Sequence, residues 1–283
     1  MLRTLLSALP IVGASVLLAS CAGARSGSAG GATANGPVPN ASAMAPAQDV
    51  VTRDVVYATV DGDSVTGYLA EPLMQATAPL PSVVMIHEWW GLNDNIRMMA
   101  RRLAGEGYRV LAVDLYGGHT ARTPAEAGTM ASQVGHDPRA AEANLKQAAD
   151  YLIQHEHATK VGILGWCFGG GWSLRGALAM PSEIDAAVVY YGQPITDASR
   201  LQALDAPLLG IYGGRDQSIP VDTVRAMESQ LKRLGKDVTI FVYPAASHAF
   251  ANPSGRSYQP EAAADAWKRT LSFLAAQLKG AQS

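Results

Sequence analysis

Strong charge of either sign is missing from this sequence of 283 residues, in which 22 Lys and Arg stand against 24 Asp and Glu, for a formal net charge of −2. It also lacks any run of basic residues interleaved with aromatics, so nucleic acid is not expected as a partner. No repeat of solenoid period is visible, and no cluster of cysteine and histidine has the spacing of a metal site. We therefore expect neither a repeat array nor a metal ion, and no cofactor is implied.

Cysteine is equally scarce, with two residues in the whole chain, Cys21 and Cys167. If Cys21 is modified, no disulfide can form and Cys167 is left as a free thiol. A free thiol is unusual in an oxidising compartment. Cys167 is therefore either a small core residue or a reactive group, and its neighbours in the sequence must decide between the two.

The N-terminus has the pattern of a targeting segment. Arg3 precedes an apolar stretch over residues 5–18, and Ala19-Ser20-Cys21 follows it. The stretch is short for a membrane-spanning helix, which needs roughly twenty residues. Its end resembles the lipobox of bacterial lipoproteins, whose cysteine becomes the acylated first residue of the mature chain. The resemblance implies a signal peptide at residues 1–20, a lipid on Cys21, and a periplasm-facing anchor in the bacterial cell envelope; a plain secretory signal or an uncleaved anchor stays open.

Composition divides the rest of the chain into a tether and a domain. Residues 21–49 are mainly Gly, Ala, Ser, Asn and Pro, which cannot offset their own ordering entropy, so we expect a flexible tether. The chain as a whole is 48% hydrophobic and 16% charged, enough for a sizeable core. We expect one folded domain over residues 50–283, with no indication of its oligomeric state.

Short β-branched runs alternate with helical patterns along this domain, which indicates parallel strands joined by helical crossovers. The predicted strands cover residues 55–58, 66–70, 82–86, 109–113, 161–164, 186–190, 208–212 and 239–243. The predicted helices cover residues 96–106, 139–155, 170–180, 221–234 and 262–279. The expected fold class is α/β, with a doubly wound, mostly parallel sheet of about seven to eight strands and helices on both faces.

One glycine-rich segment carries a candidate nucleophile. Residues 165–169, Gly-Trp-Cys-Phe-Gly, lie between a predicted strand and a predicted helix, which is the context of a nucleophile elbow in the α/β-hydrolase fold. The helix N-terminus would favour a thiolate at Cys167. The amide of Phe168 and one from the loop after residues 82–86, assigned to Trp89, would supply the oxyanion hole. A buried core cysteine beside a glycine-rich turn is the alternative.

The candidate acid and base follow in the order that this fold requires, each just beyond a strand. Asp216 comes after the predicted strand at residues 208–212, and His248 is the one among six histidines between the last predicted strand and the last predicted helix. Alone, Asp216 could cap a helix, and a loop histidine is usually only solvated. Their joint order with Cys167 favours a catalytic triad.

Residues 87–91, His-Glu-Trp-Trp-Gly, resemble the Gln/His-Glu-x-x-Gly segment of the dienelactone hydrolases. The segments around Cys167, Asp216 and His248 match the same family, and the resemblance covers roughly residues 50–278. It implies that Glu88 lies near the thiol, keeps it neutral at rest and takes part in its activation when substrate arrives. A salt-bridged surface acid is the alternative interpretation of Glu88.

The sequence departs from the best-known members of this family at one position. Those members hold a substrate carboxylate with arginines, one of them four residues beyond the catalytic histidine, where this chain has Asn252. Four other arginines are candidates for binding a substrate carboxylate, and their spacing along the sequence does not select among them: Arg122, Arg139, Arg175 and Arg256.

The function that the resemblance implies is carboxymethylenebutenolidase-like hydrolysis of a small ester or lactone through a thioester at Cys167. A lipase-, esterase- or peptidase-like hydrolase is an alternative, because a fold does not fix its substrate. In that case four tryptophans would line an acyl pocket, unless they pack in the core: Trp89, Trp90, Trp166 and Trp172. A non-catalytic envelope lipoprotein module is a further alternative, and it predicts decay of the motifs.

Overall fold

The computed structural model describes residues 44–74 and 79–280. The first two strands of the sheet form an antiparallel hairpin. It consists of β1 (Val50–Val60) and β2 (Asp63–Pro72). The turn residues Asp61 and Gly62 both have positive φ, 52° and 92°. Asp-Gly is a favoured dipeptide for such a turn, whose twist matches that of the flanking strands. Because pairing continues along both strands, the hairpin is longer than predicted.

Six more strands complete the sheet: β3 (Ser82–Ile86), β4 (Arg109–Val113), β5 (Val161–Trp166), β6 (Ala186–Tyr190), β7 (Leu208–Gly213) and β8 (Val238–Tyr243). The order across residues 44–74 and 79–280 is β1-β2-β4-β3-β5-β6-β7-β8, with β3 to β8 parallel. Every residue of β3, β5, β6 and β7 is buried, as expected when both faces of a sheet are covered. The predicted fold class is confirmed.

Seven α-helices lie within the described residues 44–74 and 79–280: α1 (Asp94–Ala104), α2 (Pro124–His136), α3 (Pro138–Gln154), α4 (Phe168–Ala179), α5 (Ala198–Leu201), α6 (Val221–Arg233) and α7 (Pro260–Leu274). A π-helical turn, Ala275–Lys279, continues α7. The sequence prediction omitted α2 and the short α5. In α2 only Ala127 is buried, so an amphipathic period is weak there. Its local signals are a capping box between Thr123 and Glu126 and a proline in the first turn.

The sequence analysis placed the start of the domain at residue 50, and residues before this position already pack against the domain. Met44 is 8% exposed and belongs to the core, and Nε2 of Gln48 donates to the carbonyl of Gly105 at 3.1 Å. The predicted signal peptide, Cys21 and most of the predicted tether lie outside the described residues. Within residues 44–74 and 79–280, no helix combines the length and the apolar character needed to cross a membrane.

Candidate active site

The carboxyl ends of β5, β7 and β8 lie at one edge of the sheet, because these strands are parallel. Cys167 follows β5, Asp216 follows β7 and His248 follows β8. Ligand sites in open α/β sheets form at this edge, from the loops that follow the strands. The three residues of the predicted triad therefore come together through the topology of the sheet.

A sharp turn between β5 and α4 presents the sulfur of Cys167. The residue has φ 55° and ψ −116°, a backbone conformation that side chains with a Cβ rarely adopt. Such strain costs about 1–3 kcal/mol and persists only where the surroundings fix it. Here the Cys167 amide donates to the Tyr190 carbonyl at 2.9 Å. A Cβ on Gly165 would overlap the backbone of Gly169, and one on Gly169 would overlap the backbone at the end of β3, so both positions require glycine.

His248 links the thiol to the buried acid. Its Nε2 lies 3.1 Å from Sγ of Cys167, and its Nδ1 lies 2.7 Å from Oδ2 of Asp216. The side chain of Asp216 is fully buried, whereas that of His248 is 27% exposed toward the cavity described below. Both distances are those of hydrogen bonds. The geometry is that of a nucleophile, a base and an orienting acid.

Asp216 also organises its own loop, which bears on the alternative that it is merely a helix cap. Its Oδ1 accepts from the amides of Ser218 at 2.8 Å and Ile219 at 3.0 Å. The residue at the N-cap of α6 is Pro220, so Asp216 does not cap that helix. The two amides instead hold the carboxylate so that its other oxygen faces His248.

The environment of Cys167 keeps its sulfur protonated at rest. Burial raises the pKa of the thiol to about 12, and the negative charges of Glu88 and Asp216 act in the same direction. Hydrogen bonds from the backbone amides of Phe168 and Trp89 to the sulfur lower this pKa but do not outweigh the burial. These are the two amides that the sequence analysis assigned to the oxyanion hole, and both lie within hydrogen-bond reach of the sulfur.

Glu88 is a buried acid with a neutral partner, and not a surface acid in a salt bridge. It is 3% exposed, and Nδ2 of Asn252 donates a short hydrogen bond to its Oε2. Burial raises the pKa of Glu88 to about 7, although the bond from Asn252 acts in the opposite direction. Asn252 is itself held by Ser254, whose amide and hydroxyl donate to Oδ1 at 2.8 and 2.7 Å.

A cavity of about 690 Å³ opens onto this site. Its wall contains three of the four tryptophans considered above, Trp89, Trp90 and Trp172. Trp166 instead packs in the core beside Tyr190, with ring centroids 5.5 Å apart, which is the other of the two places considered for these tryptophans. Of the four candidate arginines, the cavity wall contains Arg175 and Arg256, and it does not contain Arg122 or Arg139. Among the described residues, no group of acidic, cysteine and histidine side chains is arranged to hold a metal ion.

The sequence analysis missed Tyr191 as a residue of the site. Tyr191 has a positive φ of 36° directly after β6, and its ring lies edge-on to the His248 imidazole with centroids 5.2 Å apart. It also lines the cavity. No sequence pattern marks this position, because its contact with His248 joins loops that are far apart in the sequence. The contact of Asn252 with Glu88 was likewise not foreseen.

Comparison with known proteins identifies the family. The profile of the dienelactone hydrolase family matches residues 65–278. The chain belongs to this family. A protein of Saccharolobus solfataricus named "Putative carboxymethylenebutenolidase" is 32% identical over an alignment of 259 positions, and the match covers 78% of this chain and 97% of that protein.

Two solved structures resemble this dienelactone hydrolase family protein closely. One, named "Putative Dienelactone Hydrolase" from Klebsiella pneumoniae, is 31% identical with a TM-score of 0.73, covering 81% of this chain and 99% of its own. The other, a dienelactone hydrolase-like promiscuous phosphotriesterase from metagenomic libraries, is 25% identical with a TM-score of 0.73, covering 81% and 98%. The family supports a hydrolase, and the elbow, acid and histidine loops lie within the matched residues.

The pKa directions at this site predict how the thiol reacts with a small alkylating reagent. With a pKa of about 12, Cys167 should be alkylated slowly at neutral pH, and the rate should rise with pH as thiolate forms. Glu88→Gln removes a negative charge that opposes the thiolate, so its thiol should react several-fold faster. Because the pKa of Glu88 is about 7, the gain should be small well below that pH and largest above it.

Glu261→Gln serves as the matched control, because Glu261 is an exposed acid in the first turn of α7. Its alkylation profile should overlay that of the wild type. A wild-type thiol that reacts at neutral pH as fast as a free thiolate, with no change in Glu88→Gln, contradicts the predicted role of Glu88.

Proposed function

We propose that this protein hydrolyses a small ester or lactone through a thioester intermediate on Cys167, in the manner of a carboxymethylenebutenolidase. The observation that carries the proposal is the unbroken contact chain from Sγ of Cys167 through His248 to Asp216. Membership of the dienelactone hydrolase family supports it. A non-catalytic module would not need to keep this chain, and neither would a core cysteine.

In the proposed reaction, the Cys167 thiol passes its proton to Nε2 of His248, and the sulfur attacks the substrate carbonyl. Asp216 orients the imidazole and stabilises the imidazolium. The amides of Phe168 and Trp89 stabilise the negative oxygen of the tetrahedral intermediate. Collapse of this intermediate forms the thioester and expels an alkoxide, which His248 protonates; for a lactone, that alkoxide stays attached as the opened ring.

The same residues carry out the second half of the reaction, in which water cleaves the thioester. His248 takes a proton from water, the hydroxide attacks the thioester carbonyl, and the same two amides stabilise the new oxyanion. Collapse releases the carboxylic acid, and the sulfur recovers its proton from His248. The neutral resting thiol fits this cycle, because Glu88 opposes free thiolate formation and the proton leaves the sulfur only toward His248, 3.1 Å away.

The cavity favours a substrate with an apolar body and an anionic group. Five Trp, Phe and Tyr side chains contribute to its wall, and the guanidinium of Arg175 lies over the Trp172 ring, 5.1 Å from its centroid. Burial and the nearby charge of Arg200 lower the pKa of Arg175. No carboxylate forms an ion pair with Arg175 or Arg256 within residues 44–74 and 79–280. We therefore assign the binding of a substrate carboxylate to these two arginines.

We further propose that the chain is a lipoprotein anchored in the bacterial cell envelope through Cys21, facing the periplasm. The support is the sequence alone, namely an apolar stretch at residues 5–18 that ends in Leu-Ala-Ser-Cys. The protein would then meet its substrate outside the cytoplasm.

Replacing Asp216 tests the triad. Asp216→Asn should leave His248 in the wrong tautomer and lower kcat by about ten-thousand-fold, which is the effect of the equivalent substitution in a serine protease. The thioester is tested by mixing the protein with an activated ester, quenching the reaction rapidly and measuring the intact mass. The wild type should carry one acyl group, and Cys167→Ala should carry none. An Asp216→Asn protein with near-normal turnover, or an acyl group elsewhere on the chain, would overturn the proposed mechanism.

Replacing Arg256 tests the substrate class. Arg256→Gln should raise KM for a carboxylate-bearing ester about tenfold relative to its uncharged analogue, since one charge-assisted hydrogen bond is worth about 1.5–3 kcal/mol. Arg139→Gln is the matched control, because its side chain is 91% exposed and lies outside the cavity wall. Equal effects of Arg256→Gln on both esters would remove the anion site from the proposal and leave the triad untouched.

Replacing Cys21 tests the anchor separately from the chemistry. Cys21→Ser should move the protein out of the membrane fraction and abolish incorporation of labelled fatty acid, while ester turnover of the domain stays normal. Cys167→Ala should behave in the opposite way, acylated and membrane-bound but inactive. A Cys21→Ser protein that is still acylated excludes the lipobox.

A further inference from the structure

His87, at the end of β3, is a fully buried polar side chain that the proposed reaction does not use. Its Nε2 accepts the amide proton of Leu115 at 3.1 Å, so this nitrogen is unprotonated. Its Nδ1 lies 2.6 Å from the carbonyl oxygen of Glu88 and must therefore be the N–H donor. The tautomer follows from the two backbone groups that hold the ring.

The ring remains neutral in this position. Burial lowers the pKa of His87, and the nearest acid, Asp114, has its Oδ1 4.0 Å from Nε2, beyond hydrogen-bond distance. The oxygens of Asp114 are already occupied by the amides of Tyr116 and Gly118. His87 therefore acts as a fixed neutral donor toward Glu88, and not as part of a buried ion pair.

The Glu88 carbonyl belongs to the same peptide unit as the Trp89 amide. In a planar trans peptide the C=O and N–H groups point in opposite directions, so fixing one fixes the other. The Trp89 amide faces the sulfur of Cys167, while the carbonyl on the far side accepts from His87 and from the Gly91 amide at 3.1 Å. The direction of one oxyanion donor thus depends on two bonds made behind it.

His87 also contacts the residue that carries the other donor. Its ring stacks on that of Phe168, with centroids 5.8 Å apart and planes at 12°. On another side it meets the ring of Tyr116 edge-on at 4.7 Å. One buried imidazole thereby contacts Phe168 directly and, through the Glu88 carbonyl, holds the peptide unit that carries the Trp89 amide.

We propose that His87 is a positioning residue of the oxyanion hole, which acts by holding the Glu88–Trp89 peptide with the Trp89 amide aimed at the reacting carbonyl. The inference rests on the proposed function, since the hole matters only for acyl transfer. It assigns His87 no contact with substrate and no proton transfer. Its effect is on the preorganisation of a donor, which is where enzymes of this kind gain much of their rate.

The competing role is structural, because His87 also ties the end of β3 to Leu115 after β4. Two variants of the same branched shape separate the roles. Neither Asn nor Leu has an atom that reaches the position of Nε2, so both variants lose the bond from the Leu115 amide. Asn still places an N–H donor close to the position of Nδ1, and Leu has none. Any purely structural defect should therefore appear in both variants.

The experiment compares kcat, KM and thiol alkylation in both variants with the wild type. We expect His87→Leu to lower kcat about ten- to a hundredfold with little change in KM, somewhat less than complete loss of an oxyanion donor. His87→Asn should stay within a few-fold of the wild type. The Trp89 amide also lowers the thiol pKa, so Cys167 in His87→Leu should be alkylated more slowly at a given pH.

Equal losses of kcat in His87→Asn and His87→Leu, with unchanged alkylation profiles, would overturn the inference and leave a structural role. His87→Met, which fills the site without a donor, takes the place of His87→Leu if that variant does not fold. Cys167→Ala, assayed in parallel, distinguishes failure of this inference from failure of the proposed function. If it retains ester turnover, the proposed function fails, while the alkylation comparison still tests whether His87 controls the Trp89 amide.

Discussion

The positive-φ backbone at Cys167 is the constraint on which the rest of the site depends. It lets β5 pass into α4 within a single residue, so that the sulfur stands above the sheet edge at the helix N-terminus. The same turn directs the Phe168 amide at the sulfur. The conformation is maintained by backbone contacts to the neighbouring strands β3 and β6, which lie on either side of β5. The proposed nucleophile and one proposed oxyanion donor are thus both positioned by a single strained turn between two parallel strands.

Electrostatics at this turn are balanced toward a resting thiol. Burial and two carboxylates oppose the thiolate, while two amides favour it. A cysteine in a helix N-terminal position is often reactive, but here desolvation is the largest influence and outweighs the helix. In the proposed reaction, the sulfur therefore becomes nucleophilic only when a proton acceptor and an electrophile are both in contact with it. His248 is the acceptor, at hydrogen-bond distance already.

Sequence reasoning predicted the fold and the members of the site because each depends on a local pattern with a fixed meaning. Buried parallel strands are apolar runs, and an elbow needs glycine at 165 and 169. Chain order then placed Asp216 and His248. Helix α2 escaped notice because it buries almost no apolar surface, although its capping box was visible. The contacts of Asn252 and Tyr191 could not be predicted, since they join loops far apart in the sequence and depend on side-chain direction.

Asn252 affects the protonation of the site as well as its geometry. A neutral partner leaves Glu88 without a fixed counter-charge, so a carboxyl group with a pKa of about 7 lies in the wall of the cavity. An anion that enters the cavity raises that pKa further, and so its binding takes up a proton. By thermodynamic reciprocity, deprotonation of Glu88 weakens the affinity for the anion by the same free energy. Under the proposed function the pocket would act as a proton-linked receptor for anions, and an arginine at position 252 would weaken that linkage by lowering the pKa of Glu88.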